Sequence, residues 1–253
     1  MDYGTIVGRI DLAQVALYLF WAFFAALIFY IQRENMREGY PLVDEEGNDT
    51  PNQGIFPVPS PKTFLMPGDR PDITVPDLSE RDRAVALERI NAFTGTAFEP
   101  TGDPLADGVG PASWASRDDT PEIDAHGHAK IQPMAKLDEF FVAKGQRDPR
   151  GADVIGADGR VAGTVKDMWI DVPEQMIRYY EIDLGDAGSR LVPKDLSKLK
   201  RDGLHIVSLP STMMADVPTT KAPDVVTKLE EEKISAYWCG GKLYSMNRIE
   251  PIG

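Results

Sequence analysis

The chain has 253 residues, of which 40 are acidic and 27 are Lys or Arg, for a formal net charge of −13 at pH 7. So acidic a surface repels nucleic acid and anionic lipid, which are excluded as main partners. A single cysteine, Cys239, cannot build a disulfide framework, so nothing marks an oxidising compartment.

Residues 1–11 form a short tail carrying Asp2 and Asp11 against Arg9. Leu12 to Ile31 is then one apolar run broken only by Gln14, long enough at about 1.5 Å per residue to cross a hydrocarbon core of about 30 Å. A transmembrane helix is predicted over 12–31. A cleaved signal would need a basic leader and small residues before the cut, whereas this run exits into Gln32-Arg33-Glu34, which favours an uncleaved anchor. Arg33 and Arg37 on one side against Arg9 on the other place the carboxyl side in the cytoplasm and the amino tail in the periplasm. Tyr18, Phe20, Trp21, Phe23, Phe24, Phe29 and Tyr30 spread along the span, which suggests packing against bulky neighbours as well as lipid.

Residues 32–145 read as an extended, proline-rich surface segment. Between Pro41 and Pro121 lie 12 of the 20 prolines, and proline fixes φ and removes a donor, so neither a regular sheet nor a long helix is expected there. Its apolar residues, such as Ile55, Phe56, Phe64 and Trp114, argue for a strap laid on another surface rather than full disorder. Only Ser79 to Phe93 predicts a helix, with Ser79 as cap and Ala84, Leu87 and Ile90 spaced in threes.

Over 146–216 the texture changes to short alternating runs. Val161, Gly163 and Val165 form one, Met168, Ile170 and Val172 another, followed by Arg190-Leu191-Val192 and Leu204 to Leu209. Turn residues separate them at 157–159, 172–175, 185–188 and 201–203, which predicts a small antiparallel barrel or sandwich. In the last segment, 217–253, a helix is predicted to open at Pro223-Asp224, run through Glu230, Glu231, Glu232 and Lys233, and end at Gly240-Gly241.

No enzyme signature is present: Gly108-Val109-Gly110 runs into Pro111 rather than a helix, and no Walker, zincin or nucleophile-elbow pattern occurs. Two ionisable constellations remain. In an extended segment Asp124, His126 and His128 would share one face at period two, within reach of one proton or cation; the same residues also suit a solvated loop. Asp171 and Glu174 flank Val172-Pro173 with Arg178 four residues on, an arrangement that suits either coupled proton carriers or an ordinary hairpin turn. The acids at 230–232 read as a solvated helix face, and His205 as a strand residue.

Several phrases together are specific. They are Phe20-Trp21 in the span, Glu34-Asn35-Met36-Arg37-Glu38-Gly39-Tyr40-Pro41-Leu42 after it, Pro61-Lys62-Thr63-Phe64, Thr101-Gly102-Asp103-Pro104, Asp107 to Trp114, and Pro173-Glu174-Gln175-Met176. With them the chain resembles, from end to end, the H-subunit family of purple-bacterial photosynthetic reaction centres, and the stretch near Gly151 to Ala215 is similar to the PRC-barrel. The resemblance implies a single transmembrane helix, a mainly β cytoplasmic domain with a PRC-barrel-like small antiparallel barrel, an extended strap and a C-terminal helix. It implies a structural, proton-conducting subunit rather than an enzyme, one that caps the L and M subunits and conducts protons to the secondary quinone during light-driven electron transport. Bacteriochlorophyll, bacteriopheophytin, quinones and non-haem iron are expected in partner subunits and none bound directly. Light-harvesting 1 polypeptides and membrane lipids are further expected partners, in the chromatophore membrane. By position, Asp124, His126 and His128 correspond to the proton entrance and to an incidental divalent metal site. Asp171 and Glu174 correspond to the relay, and Glu122, Lys130, Arg178 and Glu231 to the surrounding cluster. Which of Glu230, Glu231 and Glu232 faces that cluster is open. The competing expectation is a free membrane-anchored PRC-barrel protein with a regulatory or RNA-processing role.

Overall fold

The computed structural model describes residues 5–7, 10–44, 48–68, 71–76, 84–93 and 95–245. The chain divides into two compact units, residues 1–83 and 84–253.

In the first unit, strands β1 (Thr5–Val7) and β2 (Ile10–Asp11) pair antiparallel ahead of helix α1, Leu12–Asn35. Asp11 caps that helix by accepting the Gln14 N–H at 2.7 Å, satisfying one of the donors a helix start leaves free. None of the residues of α1 is buried, although its sequence is apolar all round. Such a surface calls for a non-aqueous environment, and the helix is long and apolar enough to cross a membrane. It continues to Asn35, past the Ile31 limit expected from apolarity, because Gln32-Arg33-Glu34-Asn35 contains no breaker. Just beyond, Arg37 forks onto Glu34 at 2.8 and 2.9 Å and donates to the Ser60 and Val75 carbonyls at 2.8 and 3.2 Å. The proline-rich stretch that follows is mostly irregular but not free of sheet. Strand β3 (Lys62–Phe64) pairs with β4 (Ile73–Val75), and Thr63 and Thr74 bridge their hydroxyls at 2.8 Å.

In the second unit the helix expected over 79–93 is not found among the described residues. Residues 79–83 lie outside them, 84–86 are irregular, and Leu87–Arg89 is a strand, β5, paired with β6 (Phe98–Pro100). Asn91 accepts the Phe93 N–H at 3.0 Å and Gly95 sits at φ +75°, so local turn chemistry and cross-strand pairing outweigh the three-residue apolar spacing.

The core is a seven-stranded, curled sheet. Its strands are β7 (Ile131–Pro133), β8 (Asp153–Ile155), β9 (Val161–Asp171), β10 (Met176–Asp183), β11 (Ser189–Pro193), β12 (Ser197–Leu199) and β13 (Leu204–Ile206). The order is β11-β10-β9-β8-β13-β12, with β7 also on β9. Pairing is antiparallel throughout, apart from β8 with β13. The two alternating runs expected at 161–172 are therefore a single strand. Two irregularities in the β9–β10 ladder leave Lys166 and Arg178 as extra residues, and such bulges bend a strand and strengthen its twist, which gives the half-barrel its curl.

The C-terminal helix α2 spans Lys228–Tyr244, starting later and ending later than expected. Thr227 and Glu230 form a reciprocal capping box that sets the start. Gly240 and Gly241 do not end the helix. They let it approach its neighbours: a Cβ on Gly240 would meet Ala112, and one on Gly241 would meet Leu209 and the Ser208 carbonyl. Trp238 of α2 is fully buried and its Nε1 donates to the Leu191 carbonyl of β11 at 2.8 Å, while the equally buried Trp169 of β9 donates to Glu181 at 3.2 Å. At about 25 cal/mol per Å² and about 150–250 Å² per ring, burial of the Trp238 indole contributes about 4–6 kcal/mol, part of it to holding α2 on the sheet.

Candidate functional site

Asp171 is the centre of the site. It ends β9, its side chain is fully buried, and an isolated buried carboxylate is costly unless paired and hydrogen-bonded. Three donors meet it. Glu174 N–H reaches Oδ1 at 3.1 Å across the turn, Arg178 Nε reaches Oδ2 at 3.1 Å, and Lys130 Nζ lies 3.5 Å from Oδ2. The Arg178 contact depends on the bulge. As the residue β10 carries in excess of its partner strand, Arg178 is re-aimed towards the end of β9, which simple alternation would not do.

Lys130 gathers the remaining acids. Its ammonium is 3.2 Å from Glu174 and 3.4 Å from Glu122, and its backbone N–H donates to the Glu122 carbonyl at 2.8 Å. Burial works against the ammonium, but the Glu174 hydrogen bond and the charges of Asp171 and Glu122 outweigh it and hold the pKa above the usual lysine value. Arg178 behaves alike: burial opposes its charge, while the bond to Asp171 and the charges of Asp171, Glu174 and Glu231 raise it.

Glu231 is the member of the acidic run that faces this group. Its Oε2 accepts the Tyr179 hydroxyl at 2.7 Å, whereas Glu230 is spent on the capping box and the Lys221 N–H, and Glu232 takes Arg117 at 3.2 Å. Burial pushes the Glu231 carboxyl up, with the Tyr179 bond and Arg178 pulling the other way. Tyr179 is itself pushed up, by burial and by the Glu231 charge. Sequence reasoning missed this tyrosine. Its side of the strand is set by the bulge at Arg178, and no local spacing links 179 to 231.

The histidine segment is not extended as the period-two argument required. Residues 122–130 fold back on themselves: Ile123 bridges Ala129, Asp124 N–H meets the His128 carbonyl at 2.8 Å, and Gly127 takes φ +85° at the tip. Asp124 Oδ1 accepts the N–H groups of His126 and His128 at 2.8 and 2.9 Å, because a short acceptor at the head of a turn satisfies the donors that the turn leaves free. Those two bonds, with burial opposing, lower its pKa. His128 Nδ1 is 3.5 Å from Asp124 Oδ2, its side chain is 72% exposed, and the two imidazole centroids lie 6.3 Å apart. As they stand, no set of three His, Cys, Asp or Glu side chains among the described residues converges as metal ligands.

The turn thus presents two exposed imidazoles at one end of the segment 122–130, and Glu122 and Lys130 at its base lead to Asp171. His205 lies elsewhere, in β13, 3.0 Å from Asp202. The family described as "Photosynthetic reaction centre, H-chain N-terminal region" matches residues 4–136, and the PRC-barrel domain matches residues 142–212.

Proposed function

Because the chain belongs to the photosynthetic reaction centre H-chain family and carries a PRC-barrel domain, we propose that it conducts protons through the Asp171 cluster to a quinone site in partner subunits. The family is that of a non-catalytic, membrane-associated subunit of the reaction-centre complex, and α1 fits a single-pass anchor. On this reading the chain covers the cytoplasmic face of the L and M subunits and keeps bulk water from the quinone sites. The amino tail is periplasmic, and the light-harvesting 1 polypeptides and lipid of the chromatophore membrane surround α1. Bacteriochlorophyll, bacteriopheophytin, quinone and non-haem iron belong to the partners; the quinone, as the group reduced, consumes the protons delivered.

The observation that carries the proposal is the fully buried Asp171, linked by Lys130 and Arg178 to Glu174, Glu122 and Glu231. A buried site gains protons only through titratable groups or ordered water, and acids coupled through shared cations hand a proton on without leaving a bare charge behind. His126 and His128, both exposed on the turn, supply the entry. A divalent ion held by Asp124, His126 and His128 would block that entry and is incidental to it.

Replacing Asp171 and Glu174 together, by Asn and Gln and separately by Ala, tests the route in the intact complex. Slower proton-coupled transfer of the second electron after flash excitation, with pigment spectra unchanged, is expected in both forms. Unchanged kinetics overturn the route. A purified chain that brings down no pigment-bearing partner instead supports the free PRC-barrel reading.

A further inference from the structure

Beyond the end of α1 the proline-rich chain turns back towards the helix. Arg37 holds the Ser60 carbonyl at 2.8 Å, and four residues before Ser60 the Phe56 ring meets Phe29 edge to face, with centroids 5.3 Å apart. These two contacts set the direction and the depth of the strap. From Arg37 to Phe29 is eight residues, about 12 Å at about 1.5 Å of helical rise each, and the four steps from Ser60 to Phe56 through Pro59-Val58-Pro57 cover the same distance at about 3.1 Å each if polyproline-like. Residues 56–60 therefore run back along α1, and Phe56 lies at the level of Phe29, two residues inside the Ile31 end of the apolar run. Its neighbour Ile55 is 95% exposed. An aliphatic side chain at that level meets acyl chains and headgroups rather than bulk water.

We propose that residues 54–57 form a second, non-spanning membrane contact, in which Ile55 inserts among the lipid chains where α1 leaves the bilayer. The inference needs α1 as a span and is independent of proton conduction. The side of α1 that the loop takes points to lipid rather than protein. At about 100° per residue, Phe20 and Phe24 lie about 180° and 140° around the helix from Phe29, and those two rings stack at 6.0 Å. The strap covers the side away from that pair, which leaves the pair clear for a neighbouring helix and the loop facing lipid. Backbone chemistry suits the depth as well. Pro57 brings no N–H, and the Gly54 N–H is taken by Asn52 Oδ1 at 3.0 Å, which lowers the cost of leaving water. Gln53 pins the other end of the loop, accepting the Leu42 N–H at 2.6 Å and donating to the Thr50 carbonyl at 2.8 Å. Held at Gln53 and at Ser60, the loop is already ordered, so little conformational entropy opposes insertion of Ile55.

The test is a nitroxide attached at Ile55→Cys in the intact complex, held in lipid nanodiscs and carrying Cys239→Ser, with the same complex lacking Ile55→Cys as the blank. Power saturation compares collisions with oxygen, which concentrates in lipid, against those with a nickel chelate, which stays in water. The oxygen-to-nickel ratio is expected to be several-fold higher at position 55 than for a label at Ser60→Cys, at the level of Arg37. A ratio equal to that at Ser60 overturns the contact, and a label shielded from both probes overturns lipid as the occupant in favour of a partner chain. A label at Leu19→Cys, in mid-span, separates the premises. Nickel access at 55 but not at 19 leaves the span standing and removes the contact, and nickel access at both removes the span with it. Phe56→Ala deletes the ring that meets Phe29, so the label at 55 is expected to lose most of its oxygen advantage. An unchanged ratio overturns the role of that ring pair in setting the depth.

Discussion

Replacing Asp171 by Asn removes one charge from the centre of the site and little else. The amide oxygen can still accept the Glu174 N–H, so that 3.1 Å bond is retained. What is lost is the charge-assisted bond from Arg178 and the attraction of Lys130 at 3.5 Å. Hydrogen bonds to charged groups contribute about 1.5–3 kcal/mol, but the Arg178 side chain is 40% exposed, and solvent screening reduces its share to about 1 kcal/mol. Lys130, only 16% exposed, adds about 1–2 kcal/mol. Relief of the cost of burying a full carboxylate offsets part of this, for a net loss of about 2 kcal/mol, or about 4–8 °C in midpoint for a chain of this size. The assay is thermal and urea unfolding of the full chain in detergent at fixed ionic strength, with Lys130→Met and the double variant completing a cycle. A change below about 0.5 kcal/mol for Asp171→Asn, or a coupling of zero in the cycle, would refute the reasoning and show that desolvation cancels the pairs.

Gly241→Ala opposes two effects. Alanine is better in a helix by about 1 kcal/mol, but its Cβ would press on Leu209 and lie 2.8 Å from the Ser208 carbonyl, and overpacking costs about 1–3 kcal/mol; urea denaturation should show net destabilisation, and an increase in stability would remove the close-approach argument. For Glu231 the folded pKa is raised, so its contribution to stability is complete at pH below the unfolded value of about 4.3 and is lost as pH rises through the folded value. Glu231→Gln should therefore be more stable, relative to the parent, near neutral pH than in acid, by denaturation at both. A relative stability that does not change with pH counts against the burial of that carboxyl.

Much of this architecture could be read from residue order, for reasons that differ by region. The span was legible because a bilayer imposes a length, and its extra turn was not because Gln32 to Asn35 are neutral towards helix. Strand positions in the half-barrel were legible from alternation, and so was the bulge, had the parity been followed: apolar positions are odd at 161, 163 and 165 and even at 168 and 170, and the switch falls at Lys166. The glycine pair misled because glycine both ends helices and lets them touch, and only Ala112 and Leu209, more than 30 residues away, decide between these uses. In the histidine segment Gly127 between two imidazoles was the local sign of a turn. Asp171 meeting Lys130, and Tyr179 meeting Glu231, join positions 41 and 52 residues apart and leave no periodic trace.

The fork made by Arg37 bears on the order in which the chain is made. Its carboxylate partner is three residues back, and its two carbonyl acceptors, Ser60 and Val75, are 23 and 38 residues ahead. All of them have been synthesised before the first strand of the seven-stranded sheet begins at Ile131. That sheet, by contrast, waits for β13 at Leu204–Ile206 to meet β8, and for Trp238 to close over Leu191. Domains fold as units from the amino end during synthesis, so the helix and the proline-rich segment bound to Arg37 are set on the ribosome while the seven-stranded sheet is still unmade.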